Sequence, residues 1–387
     1  MEQFEKPVSF TGTLSHVGES IFSVMTRMAN EFGAVNLSQG FPDFSVDPVL
    51  LEKVSSNLES GNHQYAPMPG ALAFREVLVE HSAGLFGHRY DVGKEITVCA
   101  GATQALATAI ACSIREGDEV IVFSPAYDSY IPMIELHGGT PITVKLLHPD
   151  YNVDWDQVKR LVNHRTKMII VNSPHNPSGR IWSEQDFMSL QEIVAESNIL
   201  ILADEVYEHV VFEAENKRSV RQYPELQKRS FVVGSLGKTT HVTGWKVGYC
   251  MAPEKLMQEF QKVHQFQVFS VNHPMQTALA DYLREYDLQS VGDLYKEKRE
   301  YLAKALSVNT PLLPLRSEGT YFQLVDYSAV SDKGDFEFAT WLCQEIGVAA
   351  IPLSPFYRDP TDNKVLRLCF AKSNATLDAA VERLAKL

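Results

Sequence analysis

The chain has 387 residues, 45% of them hydrophobic and 21% charged, enough to bury a sizeable core in two domains or one large one. The net charge of −13 argues against a basic nucleic-acid footprint and is read as a solubility feature, although single cations and helix N-termini can still bind an anion locally. The segment MEQFEKPVSFTGTLSH lacks a charged stretch followed by an apolar one, and no apolar run reaches membrane-span length, so a cytoplasmic protein is expected, with no membrane or nucleic-acid partner. The five cysteines (Cys99, Cys112, Cys250, Cys343, Cys369) are widely spaced, odd in number and form no CxxC. They read as buried thiols in a reducing compartment, and no metal is expected.

In chain order, the part before about Val35 is too short for its own core and is expected to pack on a smaller domain or across a subunit boundary. Strands are then expected at Glu95–Val98, Glu119–Phe123, Pro141–Leu146, Lys167–Asn172, Ile199–Asp204, Phe231–Ser235 and Val247–Ala252. Several are nearly continuous Val/Ile/Leu, as in strands covered on both faces. Helical patterns lie between them at Thr103–Glu116, Trp155–Leu161 and Ser183–Glu196. This βαβ rhythm predicts an α/β fold with a mostly parallel sheet and helices on both faces. After about Asn272 the pattern changes to a helical stretch from Met275 through Leu302. Strands at Gly319–Val325, Val348–Ile351 and Val365–Phe370 and an amphipathic segment at Thr376–Leu387 follow. These read as a smaller α+β domain. The expected division is 36–282 for the large domain, with 1–35 and 283–387 forming the small one.

In open α/β sheets the site lies at the carboxyl ends of the strands. Three strands here end in residues that an apolar run would not choose: Asn172-Ser173-Pro174-His175-Asn176-Pro177-Ser178-Gly179, Asp204-Glu205-Val206-Tyr207, and Gly234-Ser235-Leu236-Gly237-Lys238-Thr239. A buried carboxylate such as Asp204 needs a cation or good donors. Alone it reads as a helix N-cap. Beside Lys238 it reads as the partner of a cationic cofactor nitrogen. Lys238 follows a glycine in Gly-Lys-Thr, but a phosphate-binding P-loop needs a further glycine at position 232, where Val stands. The alternative of a solvated surface lysine is opposed by its strand-end position, its small neighbours and a second basic residue, Lys246, in Thr243-Gly244-Trp245-Lys246-Val247-Gly248. The turn Ala100-Gly101-Ala102-Thr103 opens a helix whose backbone N–H groups suit a phosphate. It is not GxGxxG, which argues against a dinucleotide fingerprint.

Together these segments resemble the class I aminotransferases, enzymes of fold type I that use pyridoxal 5'-phosphate. Ser235-Leu236-Gly237-Lys238-Thr239 with Thr243–Gly248 is similar to that family's lysine signature. Asn172–Gly179 is similar to its NPxG turn and Asp204–Tyr207 to its D-x-x-Y. Asn36–Asp43, Tyr65-Ala66-Pro67 with Pro69-Gly70, and Val365–Leu368 also match, in family order across nearly the whole chain. The resemblance implies that Lys238 is the aldimine lysine and proton shuttle, with a lowered pKa. It implies that Asp204 partners the pyridine N–H and that Asn176 and Tyr207 donate to the ring's phenolate oxygen. Ala102, Thr103, Ser235 and Lys246 would form the phosphate cup, Lys246 standing where many members have Arg. Tyr127 would stack on the ring, and Tyr65 would reach the phosphate from a neighbouring subunit, making the active unit a homodimer. Arg367 would clamp the substrate α-carboxylate, with Gly40 and Asn172 assisting.

The turn Tyr127-Asp128-Ser129-Tyr130 and the run Gly244–Tyr249 look closest to the methionine and the kynurenine/glutamine aminotransferases. That implies a large neutral amino donor, methionine or aromatic, and a 2-oxo acid acceptor. Phe22 and Phe356 agree with such a pocket and fit equally well as core residues. The alternative is a cysteine-conjugate β-lyase, which would share Lys238, Asp204 and Arg367. A non-enzymatic regulator is disfavoured because the resemblance begins near the N-terminus, leaving no room for a DNA-binding domain.

Overall fold

The computed structural model describes residues 11–387. Its centre is a seven-stranded sheet in the order Ile96–Cys99, Gly248–Met251, Ser230–Ser235, Leu200–Asp204, Thr166–Asn172, Glu119–Ser124, Thr140–Lys145. Every neighbouring pair is parallel except those made by Gly248–Met251, which runs antiparallel to both its neighbours. Glu119–Ser124 and Ser230–Ser235 are buried at every residue, as strands covered on both faces must be. Helix Ala102–Ser113 packs across this sheet, and Glu184–Val194 is held at its start by a Ser183/Asp186 capping box.

The later part of the chain builds a four-stranded antiparallel sheet in the order Ile351–Pro352, Val365–Cys369, Phe322–Asp326, Leu313–Pro314. Helix Ile21–Phe32 buries Ile21, Met25 and Ala29, one side of an amphipathic helix, against the segments around Val348–Ala349 and Ile351–Pro352. Strand Val35–Asn36 pairs in parallel with Val348–Ala349. Among the described residues no helix is long and apolar enough to cross a membrane.

Two expectations change. The helical stretch Met275–Leu302 is two helices, His273–Leu283 and Gln289–Asn309. The break is local: the Asp287 side chain accepts from the Gln289 N–H at 2.9 Å and its carbonyl from the Ser290 hydroxyl at 2.6 Å, which starts a new helix. The expected strand Val348–Ile351 divides at Ala350, Val348–Ala349 pairing with the N-terminal segment and Ile351–Pro352 with Val365–Cys369. Helices Ile21–Phe32, Pro48–Glu59, Leu72–Phe86 and Glu254–Gln267 were not among the expected elements.

Candidate active site

Parallel strands Thr166–Asn172, Leu200–Asp204 and Ser230–Ser235 end together, so their polar last residues open into one cavity of about 780 Å³. The cavity is lined by Gly40, Ala102, Thr103, Tyr127, Asn172, Asn176, Asp204, Tyr207, Ser235, Lys238, Lys246 and Arg367. Twelve of the thirteen residues singled out from sequence therefore meet there. Tyr65 does not. It lies outside the cavity, 80% exposed, edge-on to Phe269 at 5.6 Å.

Asp204 closes its strand and is buried. Its Oδ2 accepts from the Tyr130 hydroxyl at 2.5 Å and its Oδ1 from the Val206 N–H at 3.3 Å. Burial nevertheless dominates and pushes its pKa up to about 6. Lys238 sits in the short helix Leu236–Thr239, and its Nζ lies 6.0 Å from the centre of the Tyr207 ring and 5.8 Å from that of Tyr321. Desolvation, then the nearby Arg367 charge, lowers its pKa to about 8.

Arg367 extends from the middle of Val365–Cys369 and is buried. Its Nη1 donates to Asn176 Oδ1 at 2.9 Å and its Nη2 to the Ser38 carbonyl at 3.2 Å, while its Nε is buried without a partner. The Phe322 ring lies 3.9 Å beneath the guanidinium and Phe22 5.1 Å away. Asn172 accepts from the Asn176 N–H at 2.8 Å and donates to the Asp204 carbonyl at 2.9 Å, so it braces the turn rather than Arg367. His175, whose pKa burial lowers to about 4, bonds Ser178 at 2.7 Å and the Pro125 carbonyl at 3.0 Å, tying that turn to the Tyr127 loop.

At the other end, Gly101 (φ +79°) caps helix Ala102–Ser113, and a Cβ there would stand 3.0 Å from Lys246 Nζ. The ammonium thus lies beside Gly101, next to the start of a helix whose first N–H groups lack intrahelical acceptors. Gly248 passes beneath. A Cβ on it would come within 2.8 Å of the Ala102 nitrogen and 2.9 Å of the Gly234 carbonyl. The Tyr127 and Thr103 hydroxyls lie 3.4 Å apart beside this cup.

Four charged groups face the cavity floor, Asp204, Lys238, Lys246 and Arg367, and among the described residues none has an ion-pair partner within 4.0 Å. Asp204 and Arg367 are buried, and buried charges are ordinarily paired, so this arrangement suits a ligand carrying complementary charges. Directly behind it, Arg221 bridges Glu205 at 2.6 Å and Glu208 at 2.5 Å, with Ser82 and Ser219 completing its hydrogen bonds. Glu208 also accepts from the Tyr249 hydroxyl.

Sequence reasoning gave Tyr130, Ser38, Phe322 and Tyr321 no role. Tyr130 was visible in the Tyr127–Tyr130 turn, but its contact with Asp204 spans 74 positions. No local signal marks it.

A floor that combines a strand-end lysine, a buried carboxylate, a glycine-lined helix start beside Lys246 and a buried arginine fits a pyridoxal-phosphate enzyme. A family model described as aminotransferase class I and II matches residues 33–384. A methionine aminotransferase of Escherichia coli (strain K12) is 48% identical over 377 residues, covering 97% of each chain. A solved structure from Escherichia coli, reported with a methionine aminotransferase function, superposes with a TM-score of 0.96 at 47% identity, covering 98% of this chain and 100% of that one. A kynurenine–oxoglutarate transaminase of Dictyostelium discoideum is 31% identical, covering 96% of this chain and 95% of that protein. The chain belongs to the class I and II aminotransferases. It is a fold type I transaminase that uses pyridoxal 5'-phosphate and acts on amino acids and 2-oxo acids. The unpaired floor charges and the Gly101/Gly248 cradle fit that cofactor.

Proposed function

We propose that the protein transfers the amino group of a large neutral L-amino acid, methionine or an aromatic, to a 2-oxo acid. The observation that carries this reading is the set of unpaired floor charges beside the aromatic wall of Phe22 and Phe322, with Phe356 packed against Phe22. The methionine and kynurenine specificities printed for the relatives support it.

Pyridoxal phosphate, when bound, supplies an electron sink for the pair left when a substrate Cα–H proton departs. Lys238 is assigned as the lysine that holds the cofactor and then carries the Cα proton. A pKa near neutrality suits an amine that must both accept and return it. Asp204 would accept from the pyridine N–H, and the Tyr130 hydroxyl keeps its carboxylate aimed. Asn176 is oriented by Arg367 so that its amide N–H₂ is free to donate to the ring oxygen, together with Tyr207. Ala102, Thr103, Ser235 and Lys246 would hold the phosphate, and Tyr127 would pack on the cofactor. Arg367 binds the α-carboxylate through its unpartnered Nε and adjacent N–H groups, with Gly40 beside it.

The working unit is assigned as a homodimer in which Tyr65 serves the neighbouring site. Its exposure next to exposed Phe269 supports a covering second copy. Residues 36–282 are assigned to a large domain, with 1–35 and 283–387 forming a small one. The separate sheets support this division, and residues 1–10 lie outside the described residues. Five free cysteines support a reducing, cytoplasmic location.

The test is to add L-methionine to the holoenzyme without acceptor. The expected products are pyridoxamine phosphate and the matching 2-oxo acid, in equal amounts. Release of pyruvate and ammonia from S-substituted cysteines, with no pyridoxamine phosphate from any amino acid, would make it a β-lyase instead.

A further inference from the structure

A transaminase site takes two substrates in turn, because the donor leaves as a 2-oxo acid before the acceptor enters. Every acceptor brings one carboxylate, which Arg367 can bind. An acidic acceptor brings a second, and that carboxylate needs a second cation. Among the described residues, four cations line the cavity: Arg27, Lys238, Lys246 and Arg367. With the floor residues assigned as above, Arg27 alone is left for a side-chain carboxylate.

Arg27 is already engaged. On helix Ile21–Phe32 the cavity-lining positions are Phe22, Ser23, Thr26, Arg27 and Asn30, the side away from buried Ile21, Met25 and Ala29. Arg27 Nη1 donates to Glu19 Oε1 at 2.6 Å, and Glu19 lines the same cavity just before the helix begins. Glu19 is the first cause of the raised Arg27 pKa, and Glu31 adds a further negative charge nearby. Asp128, bonded by the Ser20 hydroxyl at 3.2 Å, is another acid beside the start of this helix. The remaining lining here is neutral: Phe22, Thr26, Asn30, Gln39 and Phe41, with Gln39 donating to Thr26 at 3.0 Å. A second carboxylate entering the cavity meets a closed ion pair and surrounding acids.

We propose that Glu19 is a specificity residue: by holding Arg27 in an internal ion pair it makes the site select 2-oxo acids with uncharged side chains over dicarboxylic ones. This rests on the aminotransferase reading. The selection works by occupying the cation, not by removing it. A carboxylate eight residues away on the same chain competes at an effective concentration in the millimolar range or above. The pair is exposed, Glu19 by 47% and Arg27 by 60%, so the discrimination it adds is modest.

The test uses the full-chain holoenzyme with saturating L-methionine and two acceptors, phenylpyruvate and 2-oxoglutarate. In the parent enzyme kcat/KM is expected to favour phenylpyruvate. In Glu19→Gln the ratio of kcat/KM for 2-oxoglutarate over phenylpyruvate should rise about fivefold, the upper end for an exposed pair. In the double variant Glu19→Gln/Arg27→Gln that rise should vanish. An unchanged ratio in Glu19→Gln, a rise that survives in the double variant, or a parent enzyme preferring 2-oxoglutarate would overturn the proposal while leaving the aminotransferase reading intact. Absence of any transfer from neutral donors to phenylpyruvate would overturn both.

Discussion

The floor of the cavity and its rim hold their charges in different ways. On the floor, Asp204, Lys238 and Arg367 are enclosed by strand ends and aromatic rings, and the pKa of each moves because its charged form is desolvated. At the rim, Glu19 and Arg27 stand in solvent on a short approach and an amphipathic helix, and each neutralises the other. Floor charges therefore act strongly and in fixed positions, whereas rim charges bias which substrate enters. Chemistry sits where water is excluded, and selectivity sits where a side chain can change partners at little cost.

The comparison would break most severely at Lys238. Lys238→Ala should lower kcat for methionine at least about a thousandfold, the scale of a lost acid–base group, while the protein still binds cofactor. Borohydride should then fail to fix the cofactor to the chain. Turnover within tenfold of the parent would show that the floor lysine does not carry the proton.

The second test concerns the support behind the floor. Arg221→Gln leaves Glu205 and Glu208 buried together without their cation and should destabilise the fold by about 3–5 kcal/mol. The urea midpoint reads this directly. A change below about 1 kcal/mol would place the network with the weak exposed pairs instead.

The third test uses pH in cofactor-free protein. The Asp204 pKa rises from 3.8 to about 6 on folding, so between those values the folded chain binds more protons than the unfolded one. Its contribution to stability must therefore fall as pH rises from about 4 to 6, by on the order of 3 kcal/mol. Asp204→Asn should remove that slope, and the gap in urea midpoint between the two proteins should open across this window. Lys238, lowered from 10.5 to about 8, has the opposite sign: its penalty is present below about 8 and is relieved as pH rises toward 10.5. A gap between parent and Asp204→Asn that is independent of pH would mean Asp204 is not desolvated.

The fourth test lies between floor and rim. Phe22 lines the cavity and packs edge-on to Phe356 at 5.8 Å. Phe22→Ala should lower kcat/KM about tenfold for methionine or phenylalanine and much less for alanine. An equal loss for all three donors would assign Phe22 to bracing Arg367 rather than to the substrate side chain.

Much of the floor was legible because it is written locally. An apolar strand that ends in Asn, Asp or Ser-x-x-Lys announces a polar edge, and parallel pairing brings such ends together. Arg367 was harder, since an arginine within an apolar strand reads equally well as a salt-bridged residue. Its buried, unpaired Nε appears only once the fold brings Arg367 against the Asn176 turn. The rim was not legible at all. Ile21–Phe32 is an ordinary amphipathic helix in sequence, and Glu19 and Arg27 are ordinary surface charges until the helix packs on Val348–Ala349 and turns its other side to the cavity.

The sequence by itself determined the alternating α/β architecture, the polar strand ends and the lysine with its neighbours, because hydrophobic period and turn chemistry are short-range properties. Tertiary structure alone decided that Tyr130 aims Asp204, that Val348–Ile351 divides between two sheets, and that the Arg27–Glu19 pair faces the site. Each depends on which groups the folded chain leaves within bonding distance, and apolar periodicity carries no record of that.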